Sequence, residues 1–269
     1  MSPLCLAHAC FRIHDSRRAA CRRSFQYLLV GLLLCCGLHF ATVPAFGDTQ
    51  VKNLSTDEIV DRLMSNNARR AAALHEYQGI RTYEVDYKGF PTGHKHARMV
   101  IAMNYKAPHE RTLSIVSEDG SKLLLDHVLH KLIQTELETN GNKEHVDSDL
   151  SRANYRFQLL GTETKDGRSC YVLQVIPVRN NKLLYRGKIW VDGQEYAVVH
   201  IEAQPAKSPS FWISQTQIEH QYTKVADFWL PMQNRSTSRV RFGGTALLTI
   251  EYKDYEVNPG PQNSDAVTR

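Results

Sequence analysis

Two spacings of hydrophobic residues divide the chain. A helical repeat comes first. Ser55-Thr56-Asp57-Glu58 can open a helix, with Ser55 as the cap and Glu58 completing a capping box. Ile59, Leu63, Ala68, Ala72 and Leu74 then form an approximate apolar stripe, which predicts a helix over residues 56–75. The period then changes to two. Tyr83, Val85 and Tyr87 alternate with Thr82, Glu84 and Asp86, and Gly89-Phe90-Pro91-Thr92-Gly93 makes a turn. Met99, Ile101, Met103 and Tyr105 alternate in a second strand, and residues 111–117 give a third, with Leu113 and Ile115 inward. Alternation of this kind predicts an antiparallel sheet with one wet face.

Residues 121–139 interrupt the strands. Leu125, Val128, Leu129, Leu132 and Glu136 fall at helical spacing and predict a second helix, with a short strand over 122–125 as an option at its start. After a polar stretch the strand pattern resumes over residues 155–162, 170–177, 186–192, 197–203, 212–222, 228–239 and 245–257. Turn signals at Asp166-Gly167, Asn180-Asn181, Asp192-Gly193 and Gly243-Gly244 separate these runs. About ten strands are too many for a flat sheet. The expected fold is therefore one α+β domain over residues 55–257: a strongly curved antiparallel half-barrel whose concave face is covered by two helices. Residues 46–54 read as a linker, and residues 258–269 as a disordered tail.

The start of the chain reads as an export signal. Arg12, Arg17, Arg18, Arg22 and Arg23 precede the apolar run from Tyr27 to Leu38, and small residues follow. Val43-Pro44-Ala45 places cleavage after Ala45, with Gly47 as the second choice. The expected location is the periplasm. An uncleaved membrane anchor is the alternative, and Arg22-Arg23-Ser24-Phe25 leaves the twin-arginine route open beside the general one. Of the formal charge of +5, the leader carries +4. Without its five arginines and Asp15, 28 basic residues face 27 acidic ones, which argues against a nucleic-acid binder. Five of the six cysteines also precede residue 45, leaving Cys170 as an apolar strand residue with no partner for an internal disulfide.

Catalytic signatures are sparse. The sequence after residue 45 has no GxSxG, GxxxxGK, GxGxxG or HExxH. His94 with His96, and His127 with His130, each offer two possible ligands, but no further ligand is spaced to complete a zinc site. Solvated surface histidines are the simpler reading. Glu84 with Asp86 and Glu251 with Lys253 sit where a wet sheet face would place charges. Asn234-Arg235-Ser236 matches a glycosylation sequon, and chance is its simplest explanation.

The order of elements resembles the outer-membrane lipoprotein-sorting proteins of the LolA/LolB-like type. Three runs carry the resemblance: Asp57 to Met64 as opening helix, Ile189-Trp190-Val191-Asp192 with Val198 to Glu202 as a central hairpin, and Phe228-Trp229-Leu230-Pro231 through Ile250 to Val257 as closing strands. The family implies a soluble carrier that accepts acyl chains of lipids or lipoproteins on an apolar concave surface. It also implies sorting components in the inner and outer membranes as partners, and an arginine in the sheet that latches the helical cover. Arg81, Arg98, Arg156 and Arg186 all lie on strands, and none sits in a matching motif.

The residues expected to meet ligand are Tyr83, Val85, Met99, Ile101, Met103, Tyr105, Trp190 and Ile250, with Phe211 and Trp212 as lid or rim contacts beside the Pro205–Pro209 loop. No enzymatic activity, metal or cofactor is expected. A sensor or interaction module using the same concavity is the rival function, and a hydrolase lacking recognisable motifs is the second.

Overall fold

The computed structural model describes residues 52–90, 93–107, 110–138, 148–208, 210–211, 213–241 and 243–259. The expected export signal, the tail beyond Pro259 and the candidate Trp212 lie outside these residues. Helix α1 spans Thr56–Ala73 and starts with the expected capping box, the Ser55 side chain accepting from the Glu58 amide and the Glu58 carboxylate from the Ser55 amide. Strand β1 (Leu74–Gly89) follows with no intervening loop. Leu74, assigned to the helix by its spacing, is therefore a strand residue, buried beside Tyr77 and Met103. An apolar residue at the junction satisfies both periods, so spacing alone misplaced the boundary.

Strands β2 (Gly93–Lys106) and β3 (Glu110–Gly120) follow β1 as an antiparallel meander. The helical cover comes next, in three continuous pieces: α2 (Lys122–Leu124), a π-helical turn (Leu125–Leu129) and α3 (His130–Glu138). There is no strand over 122–125; Ser121 accepts the amides of Leu124 and Leu125, and the chain turns directly into helix.

Seven more strands complete the sheet: β4 (Tyr155–Lys165), β5 (Arg168–Pro177), β6 (Tyr185–Asp192), β7 (Val198–Pro205), β8 (Ile213–Val225), β9 (Phe228–Val240) and β10 (Thr245–Pro259). Ten strands pair antiparallel in the order β3-β2-β1-β10-β9-β8-β7-β6-β5-β4, so β10 returns to lie between β1 and β9 and the sheet stays open at β3 and β4. This is the α+β half-barrel expected from the pattern. Shifts in register on several strand pairs, and the close approach at Gly187, accommodate its curvature. A Cβ on Gly187 would lie 2.2 Å from the Glu202 carbonyl oxygen and 2.5 Å from Ala203 Cα, so β6 and β7 need a glycine there.

One face of the sheet carries two large apolar clusters. The first joins β1, β2 and β10 to the α2–α3 cover through Tyr83, Val85, Met99, Leu129, Leu132 and Ile250. The second joins β5, β6 and β7 to α1 through Ile59, Val60, Leu63, Leu173, Ile189 and Ile201. Between them the inward face is polar. Asn234 donates to the Tyr252 hydroxyl (2.8 Å), and Thr216 and Ser238 share a hydrogen bond (2.9 Å).

Candidate functional site

The candidate ligand residues separate into distinct groups. Tyr83, Val85, Met99, Ile101 and Ile250 lie together under the α2–α3 cover, the first four fully buried and Ile250 1% exposed. Alternation on neighbouring strands brings them together: Tyr83 pairs with Met99 on one side and Ile250 on the other. Met103 and Tyr105 continue the same face into a smaller cluster with Leu74, Tyr77, Phe228 and Leu230. Trp190 stands apart. It packs with Cys170, Val172 and Val199 on the opposite face, and its indole N–H donates to Glu163 (2.8 Å). Ile189 and Val191, its neighbours, are the inward residues of β6. Phe211 is 66% exposed at the β7–β8 loop, beneath the Arg241 guanidinium.

A buried ionic knot ties the cover to the sheet. Arg81 of β1 donates to Glu136 of α3 at 2.5 Å, and each side chain is only 5% exposed. Arg111 of β3 approaches the same carboxylate oxygen at 3.4 Å, and the Tyr83 hydroxyl donates to the other at 3.2 Å. The Arg81 guanidinium also lies 5.1 Å from the Tyr252 ring centroid. Burial opposes the charged form of Glu136, but Arg81, then Arg111 and the Tyr83 hydroxyl, outweigh it and hold the carboxyl below its usual range. Burial likewise opposes a charged Arg81, while Tyr83 and Glu136 favour it and raise its pKa well above normal. Burial pushes the Tyr83 hydroxyl up, keeping it a donor.

Sequence reasoning named Arg81 among four strand arginines and Glu136 within the helical stripe, but did not pair them. A signal was present. Arg81 has the parity of Tyr83 and Val85, and Glu136 follows Leu132 by one helical turn, so both charges occupy inward positions. Arg98 instead pairs with Glu84 on the wet face, and Arg186 donates to the Ala206 carbonyl (3.4 Å).

The π-helical turn lies between Leu124 and His130, where the cover presents Leu125, Val128 and Leu129 to the sheet. Such turns widen the backbone hydrogen-bond ladder and often occur at functional sites. With the cover seated, Leu124, Val128, Leu129 and Leu132 pack against the inward residues of this face. A cavity of about 730 Å³ opens on the opposite face, lined by residues that include Gln174, Arg186, Lys188, Glu202 and Arg235.

The histidine pairs occupy the surface. His94 and His96 both contact Asp86 (2.9 and 3.3 Å), and His130 contacts Glu118 and Asp126. No group of three or more metal-ligating side chains occurs among the described residues. Two histidines that sequence reasoning passed over, His200 and His220, are buried. Burial, then the neighbouring His200, depresses the pKa of His220 to about 3. Burial raises the Cys170 thiol to about 11, which disfavours the reactive thiolate. Asn234 of the sequon is 4% exposed and inaccessible to a glycan.

A family described only as of unknown function (DUF5686) matches residues 148–255. No curated protein matches the chain. Among solved structures, the chain is similar to a DUF1329 family protein from Desulfovibrio piger, at 13% identity and a TM-score of 0.38 over 78% of this chain and 95% of that one. It is also similar to a putative outer membrane lipoprotein-sorting protein domain from Vibrio parahaemolyticus (11%, TM-score 0.37, covering 78% and 97%). A LolA superfamily protein from Nitrosomonas europaea gives 10% identity and a TM-score of 0.34, covering 77% and 96%. The last two structures bear the names of the family type that the sequence resembles.

Proposed function

We propose that the chain is an exported carrier that holds acyl chains of lipids or lipoproteins between the inward sheet face and the α2–α3 cover, for transfer toward the outer membrane. The observation that carries this reading is the Arg81–Glu136 pair, which joins a strand to the cover across an apolar surface. An acyl chain would take the place of Leu124, Val128, Leu129 and Leu132 against Tyr83, Val85, Met99, Ile101 and Ile250, exchanging one set of apolar contacts for another. About ten buried methylenes supply roughly 8 kcal/mol, near micromolar affinity before ordering costs. That strength suits a carrier that must also release its load. Met99 and Met103 can adapt to chains of varied shape.

Binding of a fluorescent fatty acid tests the reading. Ile101→Glu and Met103→Glu place a carboxylate on the inward face, where ligand or cover must desolvate it, and should weaken binding at least tenfold. Lys253→Glu, at an exposed position of β10, should leave it unchanged. Circular dichroism verifies that each variant is folded. If folded inward variants bind as tightly as wild type, the carrier reading fails. A stoichiometric protein partner recovered without lipid would then favour the sensor.

A further inference from the structure

Three turns meet at one end of the sheet and form a continuous rim. The β1–β2 turn touches the β9–β10 turn, where Tyr87 donates to the Gly243 carbonyl (2.9 Å) and Lys88 pairs with Thr245. The β9–β10 turn in turn meets the β7–β8 loop. Ile213 pairs with Val240, and the Arg241 guanidinium lies 5.1 Å from the Phe211 ring centroid. The two most exposed large hydrophobic side chains among the described residues occupy this rim: Phe211 at 66% and Phe90 at 63%.

The charge there has one sign. Lys207 and Arg241 on the turns and Lys88 and Arg239 at the adjoining strand ends are exposed, and residues 87–97, 205–218 and 236–250 contain no aspartate or glutamate. Asp86, just inside the first turn, is occupied by His94 and His96. Exposed aromatic tips ringed by unopposed cations fit a surface that offers negative charge outside and hydrocarbon beneath. We infer that this rim docks on the surface of an anionic lipid bilayer, with Phe90 and Phe211 entering the headgroup boundary and the four cations facing lipid phosphates. No described helix is long and apolar enough to cross a membrane. It does not depend on acyl cargo. A carrier and a sensor would dock alike.

Hydrogen exchange of the full chain, resolved by segment, tests the inference with vesicles of phosphatidylcholine alone or with about one third phosphatidylglycerol. The segment-resolved readout separates the rim from any membrane contact made by residues 1–45. Exchange over residues 87–96, 206–214 and 239–246 should slow several-fold with anionic vesicles and stay unchanged with neutral ones. High salt should reverse the effect, because the attraction is screened. Phe90→Ser with Phe211→Ser, and separately Lys88→Glu with Arg241→Glu, should each abolish most of that protection. All four positions are exposed, and unchanged exchange in α1 verifies the fold. Rim protection that is absent, equal on neutral vesicles or insensitive to both pairs of substitutions overturns the inference.

Discussion

Replacing Glu136 by glutamine separates a latch from ordinary core packing. The substitution keeps the size and hydrogen-bonding capacity of the side chain but removes its charge, so Arg81, 4% exposed, loses the carboxylate that neutralises it. Breaking a buried ion pair by removing one partner costs about 3–5 kcal/mol. Arg111 stands 3.4 Å from the same oxygen, so Arg81 would have a second cation beside it and no nearby anion. The low end of that range, about 3 kcal/mol, is a factor of roughly 150 in an equilibrium constant. Lifting the α2–α3 cover hydrates Arg81 and removes the penalty, so the cost appears first as easier opening of the cover. Exchange of amides over residues 122–138 should accelerate by up to that factor, while α1, which packs on the other cluster, keeps its protection. If acyl ligand binds only the open form, its apparent affinity should rise by the same factor until opening is no longer limiting. A fatty-acid titration measured beside the exchange experiment reads both. Faster exchange with unchanged affinity would show that opening does not expose the ligand site. Uniform destabilisation of α1 and the cover would show that no separable latch exists.

The buried His220 should make the fold acid-sensitive. Its folded pKa, held down to about 3, lies below the ordinary 6.5, so the unfolded chain takes up a proton between these values while the native state does not. This contribution lowers stability as pH falls through that window, by about 1.4 kcal/mol per pH unit, and His220→Gln should flatten the slope in urea titrations; equal slopes in both proteins refute it. Gly187→Val should lower the melting temperature sharply, through a loss of roughly 3 kcal/mol, because its side chain collides with the β7 backbone; a cost near zero would mean that the strands separate freely. In the form beginning after Ala45, Cys170 is the only cysteine, so reducing agent should leave the melting temperature of the monomer unchanged, and a large shift would contradict that reading.

Much of the fold was legible because the sheet has one buried face. Alternation such as Tyr83-Glu84-Val85-Asp86-Tyr87 fixes both the strand and its orientation, and ten runs of this kind leave few other architectures. Where burial differs from that simple picture, the sequence misled. Ile115 has the parity of Leu113 and pairs with buried Ile101, yet it is 49% exposed on the edge strand β3. Trp190 invited assignment to the inward face by its size, but Ile189 and Val191 have that parity and Trp190 has the other. The ionic knot was hidden for a different reason. Arg81 and Glu136 are far apart in sequence, and only the topology that places the cover above β1 brings them within hydrogen-bonding distance. Each alone looks like an ordinary polar interruption of an apolar pattern.

The two ends of the inward face are held by interactions of different kinds, and the difference bears on which end can move. Helix α1 packs through the buried Ile59, Val60 and Leu63, and its polar ties lie at its rim. Arg152 bridges Asp57 and Asp61 at 2.7 Å each, Arg62 donates to the Tyr196 hydroxyl at 2.8 Å, and Asn66 donates to the Glu195 carbonyl at 2.9 Å. These bonds lie at exposed or half-buried positions. Each is weak and can break singly, with water replacing what is lost. The α2–α3 cover also packs through leucines, and while His130 meets Glu118 at its half-exposed edge, the Arg81–Glu136 contact with the sheet is fully enclosed. A partial displacement that separates Glu136 from Arg81 before water enters leaves both charges desolvated, and is the costliest arrangement available. Intermediate positions of this cover are therefore disfavoured relative to full seating and full release. Under the proposed carrier function, a cover with two favoured positions over an apolar surface would meet what loading and unloading require.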